Sequence, residues 1–202
     1  MAAAAAPLPA TSPSIRLAQL EGGKGLGVVA TRAVRQGETL LQPERPLVRL
    51  TPEIGKPIEH FFGEAREQAL ALLATLSRTA GPPLAWTWWH KDLDAVVNTN
   101  SLTQEGPDGG VHSYVFLHIS RFNHSCDANA CMAFDGKSET AVVRSLRDIP
   151  PKHEVTINYI RTESNGPLSE RRELLRTRFG FECHCDRCQK EEAAAAAQRR
   201  RR

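Results

Sequence analysis

Residues 121–130, RFNHSCDANA, place four side chains that could do chemistry next to one another, directly after the apolar run YVFLHIS. The four are Asn123, His124, Ser125 and Cys126. A cysteine beside a histidine is typical of a nucleophilic site, and the same pair is typical of a metal site. Polar residues that tolerate bends also indicate backbone that turns around a ligand. Three hypotheses therefore stand, and the rest of the chain has to distinguish them.

The stretch CHCDRC holds three of the five cysteines within six residues. These are Cys183, Cys185 and Cys188. An odd total and the lack of a secretory signal argue against a disulfide framework, whereas thiolates at this spacing can share one metal ion. Zinc takes four ligands in a tetrahedron, so the fourth must come from elsewhere in the chain. Cys126 is the candidate that the sequence favours.

Other assignments of the cysteines remain open. His184 could compete as a ligand, but it lies between two cysteines and would point away if both bind. Cys131, in NACMAF, fits an ordinary small core residue, and four free thiols by coincidence is the remaining alternative. If Cys126 is a metal-bound thiolate, it cannot also be a free nucleophile, so the cysteine protease hypothesis weakens.

The elements that must position these residues are mostly short strands. Residues 25–50 are rich in β-branched and apolar types and are broken by Gly37, Pro43 and Pro46, which is typical of strands joined by tight turns. Residues 103–110, TQEGPDGG, are predicted as a loop. Four further strand-like runs follow it: VHSYVFLHI, NACMAF, ETAVVRSL and EVTINYI.

Two segments have helical spacing instead. Between residues 59 and 78 apolar residues recur at helical spacing until GPP ends the pattern. Residues 166–180, GPLSERRELLRTRFG, predict a last helix, with Ser169 as the candidate N-cap and Gly180 just past the end. The predicted fold class is mostly β with inserted helices (α+β) and a small C-terminal appendage.

Length and composition predict one globular domain, because 202 residues suffice for one core but hardly for two. No apolar run approaches the roughly 18 residues that would span a bilayer, so no membrane partner is expected. The start, MAAAAAPLPATSPS, lacks the pattern of a secretory signal and is predicted as a loose arm, with a transit peptide as the alternative.

The net charge of +3 comes entirely from the arginine run at residues 199–202. A solvated tail is the ordinary interpretation of such a run. A nuclear import signal or an electrostatic contact with nucleic acid are the sharper interpretations.

Four motifs, in their order and spacing, resemble those of the SET domain protein lysine methyltransferases. They are GKGLG at 23–27, RFNHSCDAN at 121–129, EVTINY at 154–159 and FGFECHCDRC at 179–188. The likeness is greatest to the SET-and-MYND branch, without its MYND finger and with the post-SET zinc motif, and it covers about residues 15–188. Four ordered motifs are more specific than any one of them alone.

The resemblance implies a SET domain β-fold in which the NHSC segment and the EVTINY strand cross in a knot-like arrangement. It further implies that S-adenosylmethionine and the target lysine enter from opposite faces and meet in a narrow channel. The implied organisation is an arm at 1–14, a SET domain at 15–162 and a post-SET zinc module at 163–190. An inserted helical and loop region occupies about 52–110, and an Ala/Arg-rich tail occupies 191–202.

Residue roles are implied by the same resemblance. Tyr159 would be the catalytic tyrosine, and Phe179 and Ile157 would line the lysine channel. Zinc would be held by Cys126, Cys183, Cys185 and Cys188. S-adenosylmethionine would be bound by Lys24, Gly25, Asn100, Asn123, His124 and Phe181.

Within that set, Lys24 and Gly25 would hold the methionine part and Asn123 its amino end. The backbone of His124 would pair with the adenine edge, on which Phe181 would stack. NHSC then combines cofactor contact with a metal ligand and contains no nucleophile. Ile157 stands where many histone methyltransferases carry an aromatic residue, so the number of methyl groups transferred is not predicted.

The predicted function is therefore S-adenosylmethionine-dependent protein-lysine N-methylation, with a histone tail as the expected substrate. Chromatin association through the arginine tail and a location in the nucleus are expected, with the cytoplasm as a possible additional location. The competing hypothesis is a catalytically silent, zinc-bearing scaffold that binds protein or chromatin. A third, a zinc-ribbon nucleic-acid binder, depends only on CHCDRC and the arginine run.

Overall fold

The structure, a computed structural model, describes residues 12–21, 24–51, 58–61, 72–73, 76, 96–97, 99–160 and 166–200. Within these residues the strands are β1 Ile15–Leu20, β2 Gly25–Ala30, β3 Thr39–Glu44, β4 Val48–Thr51, β5 Ile58–Phe61, β6 Leu102–Glu105, β7 Val111–Val115, β8 Asn123–His124, β9 Ala130–Asp135, β10 Thr140–Ser145 and β11 Glu154–Ile157. The helices are α1 Leu168–Phe179 and α2 Asp186–Arg200, with a 3₁₀ turn at Ile119–Arg121.

The described strands form three small sheets, and the fold class is mostly β with two helices, as predicted. One sheet has the order β1-β2-β11-β8, the second β3-β10-β9 and the third β5-β4-β7-β6. The first two share a buried apolar core that includes Val28, Leu41, Phe122, Val143 and Val155. In the first sheet two of the three neighbouring pairs, β2 with β11 and β11 with β8, are distant in sequence, so this core holds the sheet together and not local turns alone.

The two central motifs cross beside each other, which confirms the predicted knot-like arrangement. Strand β8 runs parallel to β11, with Asn123 opposite Thr156 and His124 opposite Ile157. Beyond the ladder, the backbone N–H of Ser125 donates to the carbonyl oxygen of Ile157 at 3.1 Å. Parallel neighbours need a long connection, and here the chain makes β9 and β10 of another sheet before it returns. The crossing therefore places NHSC against the end of EVTINY.

Asn129 extends the pairing of β11 with its side chain. Its amide Nδ2 donates to the carbonyl of Glu154 at 2.8 Å, and its Oδ1 accepts from the N–H of Thr156 at 2.9 Å. An alanine would leave both partly buried backbone groups without these partners. We expect Asn129→Ala to lower the free energy of unfolding by about 2–4 kcal/mol in urea titrations.

Asn158→Ala is the matched control for this change. The side chain of Asn158 accepts only a local bond in the structure, from the N–H of Ile160 at 3.0 Å. We expect a loss of about 0.5–1.5 kcal/mol for this single bond. Equal urea midpoints for the two alanine variants would contradict the role given to Asn129.

Three local predictions were wrong in detail. Residues 59–61 of the predicted helix belong to β5, where they pair antiparallel with β4, and residues 72–73 are helical while most of the remainder lies outside the described residues. Residues 103–105 of the predicted loop belong to β6 and pair with β7. In both cases cross-strand pairing overrides the local pattern. At α1, Pro167 takes the N-cap position predicted for Ser169, whereas Gly180 ends the helix at a φ of +75°, as predicted.

The predicted domain limits stay predictions, and the described residues near two of them have defined structure. Of the predicted arm, residues 12–14 are packed: Ser12 and Ser14 are buried, and the hydroxyl of Thr31 donates to the carbonyl of Pro13 at 2.7 Å. Residues 1–11 lie outside the described residues. Helix α2 runs without interruption across the predicted limit between zinc module and tail. Among the described residues, no helix combines the length and the apolar content that crossing a membrane requires.

Candidate functional site

A cavity of about 800 Å³ opens where β2, β8 and β11 meet the segment after α1. Most of its lining residues come from the four motifs, and they include Lys24, Leu26, Asn123, His124, Glu154, Thr156, Tyr159, Phe179, Phe181 and Cys185. A volume of 300–1,000 Å³ is typical of sites for small molecules and cofactors. The strand crossing therefore builds one candidate ligand site from segments that are far apart in sequence.

Tyr159 lies at the centre of this site, two residues past the end of β11. Its hydroxyl donates to the carbonyl of Phe122 at 2.5 Å. Its ring packs against Phe179, with the centroids 5.0 Å apart, and against His124 at 5.3 Å. Phe181 meets it edge to face at 6.4 Å. The hydrogen bond thus fixes the hydroxyl of Tyr159, and the three neighbouring rings, here called the aromatic wall, fix its ring.

The environment of Tyr159 keeps its phenol protonated. Burial raises the pKa of Tyr159 well above its usual value near 10, and the negative charge of Glu154 adds to this effect. A phenol in this state donates a hydrogen bond at neutral pH and is a poor general base. This environment favours a role for the Tyr159 hydroxyl as a hydrogen-bond donor.

His124 connects Tyr159 to the cysteines through its ring. The backbone N–H of Tyr159 donates to Nδ1 of His124 at 3.1 Å, so this nitrogen carries no proton. Nε2 then holds the proton of the neutral ring, and it lies 3.3 Å from Sγ of Cys126, to which it donates. The side chain of His124 therefore fixes the position of the tyrosine backbone relative to a sulfur of the cysteine cluster.

A polar group occupies the opposite part of the cavity, near the start of β2. The ammonium Nζ of Lys24 lies 2.7 Å from Oε2 of Glu154, and the amide of Asn123 donates to the other carboxylate oxygen at 3.0 Å. Directly after Lys24, Gly25 at φ +70° makes the turn into β2. The site thus has a charged end and an aromatic end.

A narrow second cavity of about 20 Å³ meets the first at Tyr159. The two cavities share Tyr159, Phe179 and Asn100, and Ile157 and Ile119 add apolar walls to the narrow one. The amide of Asn100, a buried residue, donates to the carbonyl of Val96 at 2.7 Å. The two cavities are therefore adjacent, and Tyr159 is one of five residues that line both.

The cysteines predicted to share a metal ion lie together. The sulfur atoms of Cys126, Cys183, Cys185 and Cys188 are all within 4.8 Å of one another. Tetrahedral zinc with Zn–S bonds of about 2.3 Å places sulfurs about 3.8 Å apart, so the cluster must contract by at most about 1 Å. The set is chemically suited to zinc and could hold it. His184, the competing ligand, is exposed, and Cys131 lies on β9 outside the cluster.

The protonation of the thiols depends on their surroundings. A hydrogen bond from Cys183, assisted by the guanidinium of Arg171, lowers the pKa of Cys126 against the effect of burial. Burial raises the pKa of Cys188 to about 11. Four thiolates in this apolar cluster therefore require compensating positive charge, which a divalent cation supplies.

Arg171 provides part of that charge from α1. Its side chain is 1% exposed, donates to Sγ of Cys188 at 3.6 Å and pairs with Glu191 of α2 at 2.8 Å. It also donates to the carbonyl of Gly166 at 2.6 Å. Four cysteinates around zinc carry two excess negative charges, so a buried guanidinium at the sulfurs stabilises the bound state.

We expect Arg171→Leu to weaken zinc binding about 10–100-fold, measured by competition with a colorimetric chelator. Arg176→Leu is the matched control, because Arg176 lies on the same helix and pairs with the exposed carboxylates of Glu173 and Glu182. Circular dichroism verifies that both variants are folded. The same zinc affinity for the two variants would show that Arg171 does not act on the metal site.

The structure brings together nearly all of the predicted site residues. Those lining the large cavity are Lys24, Asn100, Asn123, His124, Phe181, Tyr159 and Phe179. Ile157 lines the narrow cavity, and the four cysteines border the large one or lie directly behind it. Gly25 is not among the described lining residues and contributes a turn instead. The assigned roles of these residues stay predictions.

Sequence reasoning missed Glu154, Asn129 and Arg171. Glu154 and Asn129 each stand inside a quoted motif, and their polar side chains next to strand residues were the available signal. Arg171 had no signal beyond its place in a helix with several other arginines, because its burial follows from the packing of α1 on α2.

Comparison with known proteins agrees with this geometry. The family model described as "SET domain" matches residues 25–160. The histone-lysine N-methyltransferase SET5 of Yarrowia lipolytica is 37% identical over 82 residues, which are 41% of this chain and 18% of that protein. The human histone-lysine N-methyltransferase SMYD3 is 40% identical over 75 residues, 37% of this chain and 17% of that protein.

A further relative, the human N-lysine methyltransferase SMYD2, is 33% identical over 97 residues, 48% of this chain and 22% of that protein. The first matches span between 15% and 26% of the relatives' own length. The similarity therefore concerns a segment of each relative.

Proposed function

Because the chain belongs to the SET domain family, we propose that it is an S-adenosylmethionine-dependent protein-lysine N-methyltransferase. The observation that carries the proposal is the position of Tyr159 where the wide and the narrow cavity meet. The wide cavity has room for a cofactor, and the narrow one, at about 20 Å³, holds a water-sized group and would have to widen for a lysine side chain. Methyl transfer by in-line displacement needs this meeting of two sites and no covalent enzyme intermediate.

The residues of the wide cavity fit S-adenosylmethionine. Its volume suffices, Phe181 and His124 offer ring surfaces at one end, and Lys24, Asn123 and Glu154 offer charges and hydrogen bonds at the other. When bound, the cofactor would supply a methyl group activated by a sulfonium. Lys24 and Asn123 would hold one end of the cofactor and Phe181 the other.

Removal of a proton from the substrate lysine is the main energetic demand. At neutral pH a lysine with an ordinary pKa of about 10.4 needs between about 4 and 5 kcal/mol to lose it. The apolar walls of the narrow cavity, Ile157, Ile119 and Phe179, lower that pKa by disfavouring the charged form. Tyr159 stays protonated, so its hydroxyl orients the neutral amine and does not accept its proton.

We propose zinc as the ion of the four-cysteine cluster, with a positioning role. The thiols form a common apolar cluster with Ile160, Leu175 and Phe179. Phe179 and Phe181 flank Gly180 just before the first cysteine of the CHCDRC stretch. An ion that binds these cysteines together with Cys126 would therefore hold the aromatic wall against Tyr159.

Histones are the proposed substrate class, since two of the relatives are named histone-lysine N-methyltransferases and a third is named an N-lysine methyltransferase. We further propose a nuclear location with contact to chromatin through the arginine run at 199–202. Replacing these arginines by glutamine should shift a fluorescent fusion toward the cytoplasm. An unchanged distribution would contradict the role given to the run.

Two measurements on the zinc-loaded full chain test the proposed function. Calorimetry with S-adenosylhomocysteine, the expected product of transfer, should show binding at micromolar concentration. Incubation of total histones with methyl-labelled S-adenosylmethionine should show label on lysine. Cofactor binding without transfer to any protein would favour a catalytically silent scaffold, and absence of binding would reject the proposal altogether.

A further inference from the structure

Glu154 lines the wide cavity with a carboxylate that the backbone pairing of its strand does not require. Its side chain is 18% exposed and faces the cavity, where both carboxylate oxygens have partners. Oε2 accepts from Lys24, and Oε1 accepts from Asn123. These two partners are the residues predicted to hold the amino-acid end of the cofactor. The three side chains thus form a closed polar group, here called the Lys24–Glu154–Asn123 group.

The amino-acid end of S-adenosylmethionine carries an ammonium and a carboxylate on adjacent atoms. A site that binds such a zwitterion gains most from an anion and a cation a few ångströms apart. Lys24 and Glu154 supply that pair at 2.7 Å. Without the ligand, the ammonium of Lys24 pairs with the carboxylate of Glu154. A zwitterion that enters between them would pair its carboxylate with Lys24 and its ammonium with Glu154.

We propose that Glu154 is a cofactor-binding residue that accepts a hydrogen bond from the α-ammonium of S-adenosylmethionine, while Lys24 pairs with its carboxylate. This inference rests on the proposed function. Asn123 keeps one carboxylate oxygen of Glu154 oriented, so the other oxygen is the one exchanged between Lys24 and the ligand. The residue therefore gives the site its selectivity for amino-acid-bearing nucleosides.

The other carboxylates that line the cavity are less suited to this role. Asp127 pairs with Arg147 at 3.0 Å and is about half exposed. Glu182 pairs with Arg176 and is also exposed. Asp186 is exposed as well, so Glu154 is the most buried of the four and its charge is screened least by solvent. It also begins β11, the strand that leads to Tyr159, and accepts a hydrogen bond from Asn123 of β8.

The test compares two probes on the zinc-loaded full chain by calorimetry. The first is S-adenosylhomocysteine, and the second is its desamino analogue, which keeps the carboxylate and lacks the ammonium. We expect Glu154→Gln to weaken binding of the first about 10–100-fold, because a charge-assisted hydrogen bond is lost. Binding of the desamino analogue should change less than about twofold, since the variant keeps the shape and the bond from Asn123.

Glu173→Gln is the matched control, with wild-type affinity expected for both probes, because Glu173 is exposed on α1, pairs with Arg176 and is not among the residues that line the cavity. Equal weakening of both probes by Glu154→Gln would overturn the inference, because it would show that the carboxylate only positions Lys24 or the cavity wall. Unchanged binding of S-adenosylhomocysteine would overturn it as well. Failure of the wild type to bind either probe would instead reject the proposed function, and with it this inference.

Discussion

Tyr159→Phe should lose methyl transfer to histone lysine by about 100-fold or more, while it binds S-adenosylhomocysteine nearly as tightly as the wild type. The variant keeps the ring that packs on Phe179 and His124 and removes only the hydroxyl that bonds to the carbonyl of Phe122. Misplacement of reacting groups by about 1 Å can cost a factor of this size. The rate is measured with saturating labelled cofactor, so that kcat is separated from binding.

Tyr114→Phe is the matched control, because Tyr114 is the other tyrosine of the chain. It is fully buried on β7, and its hydroxyl lies 3.2 Å from Glu139. Loss of this hydroxyl should lower the free energy of unfolding but change kcat less than about twofold. If Tyr159→Phe transfers methyl groups as fast as the Tyr114 variant, the phenol of Tyr159 has no part in the reaction.

Cys183→Ser should lose the metal and with it the aromatic side of the cofactor cavity. Cys183 is buried, and its sulfur is one of the four in the cluster that packs on Leu175 and Phe179. We expect the purified variant to retain less than about a tenth of the wild-type zinc, by atomic emission after dialysis. We also expect its melting temperature to fall by about 10 °C, since structural zinc contributes directly to folding. Affinity for S-adenosylhomocysteine should fall in parallel.

Cys131→Ser provides the comparison for this change, since Cys131 is partly exposed on β9 and lies outside the cluster. It should keep one zinc per chain and wild-type cofactor affinity. If chelation strips the zinc and cofactor binding stays unchanged, the metal does not support the cavity, and the link from the cysteines through Phe179 and Phe181 is wrong.

The cysteine cluster could be predicted from the sequence because its chemistry is local. Three thiols within six residues require a fourth ligand, and few side chains qualify. The structure brings Cys126 to within 4.8 Å of the other three, across more than fifty residues. Because zinc binds only a few types of side chain, the residue types alone indicate which distant residue can complete the cluster.

The strand crossing could not be derived in this way. Strand β8 is two residues long, too short for any periodic pattern, and its partner β11 lies about thirty residues later. The resemblance to a family supplied this pairing. The same limit explains the missed Glu154, whose partner Lys24 is 130 residues away. The alternation of polar and apolar residues along β11 does not indicate which cation the side chain of Glu154 pairs with.

Propensity failed where sheet pairing competes with it. Residues 59–61 begin a stretch with helical spacing, yet they complete a sheet beside β4. Paired backbone groups and cross-strand contacts outweigh a few tenths of a kcal/mol of intrinsic preference. The N-terminus of α1 differs by only one or two residues from the prediction, because Pro167 already has the φ that suits a helix start.

The most direct test of the proposed reaction is mass spectrometry of proteins incubated with the zinc-loaded chain and S-adenosylmethionine that carries a trideuterated methyl group. We predict trideuteromethyl on the ε-nitrogen of specific lysines, present with the wild type and with Tyr114→Phe and reduced to background with Tyr159→Phe. Label on no lysine in any histone or cell-extract protein, or the same labelled lysines with all three proteins, would contradict the assignment of a methyltransferase centred on Tyr159.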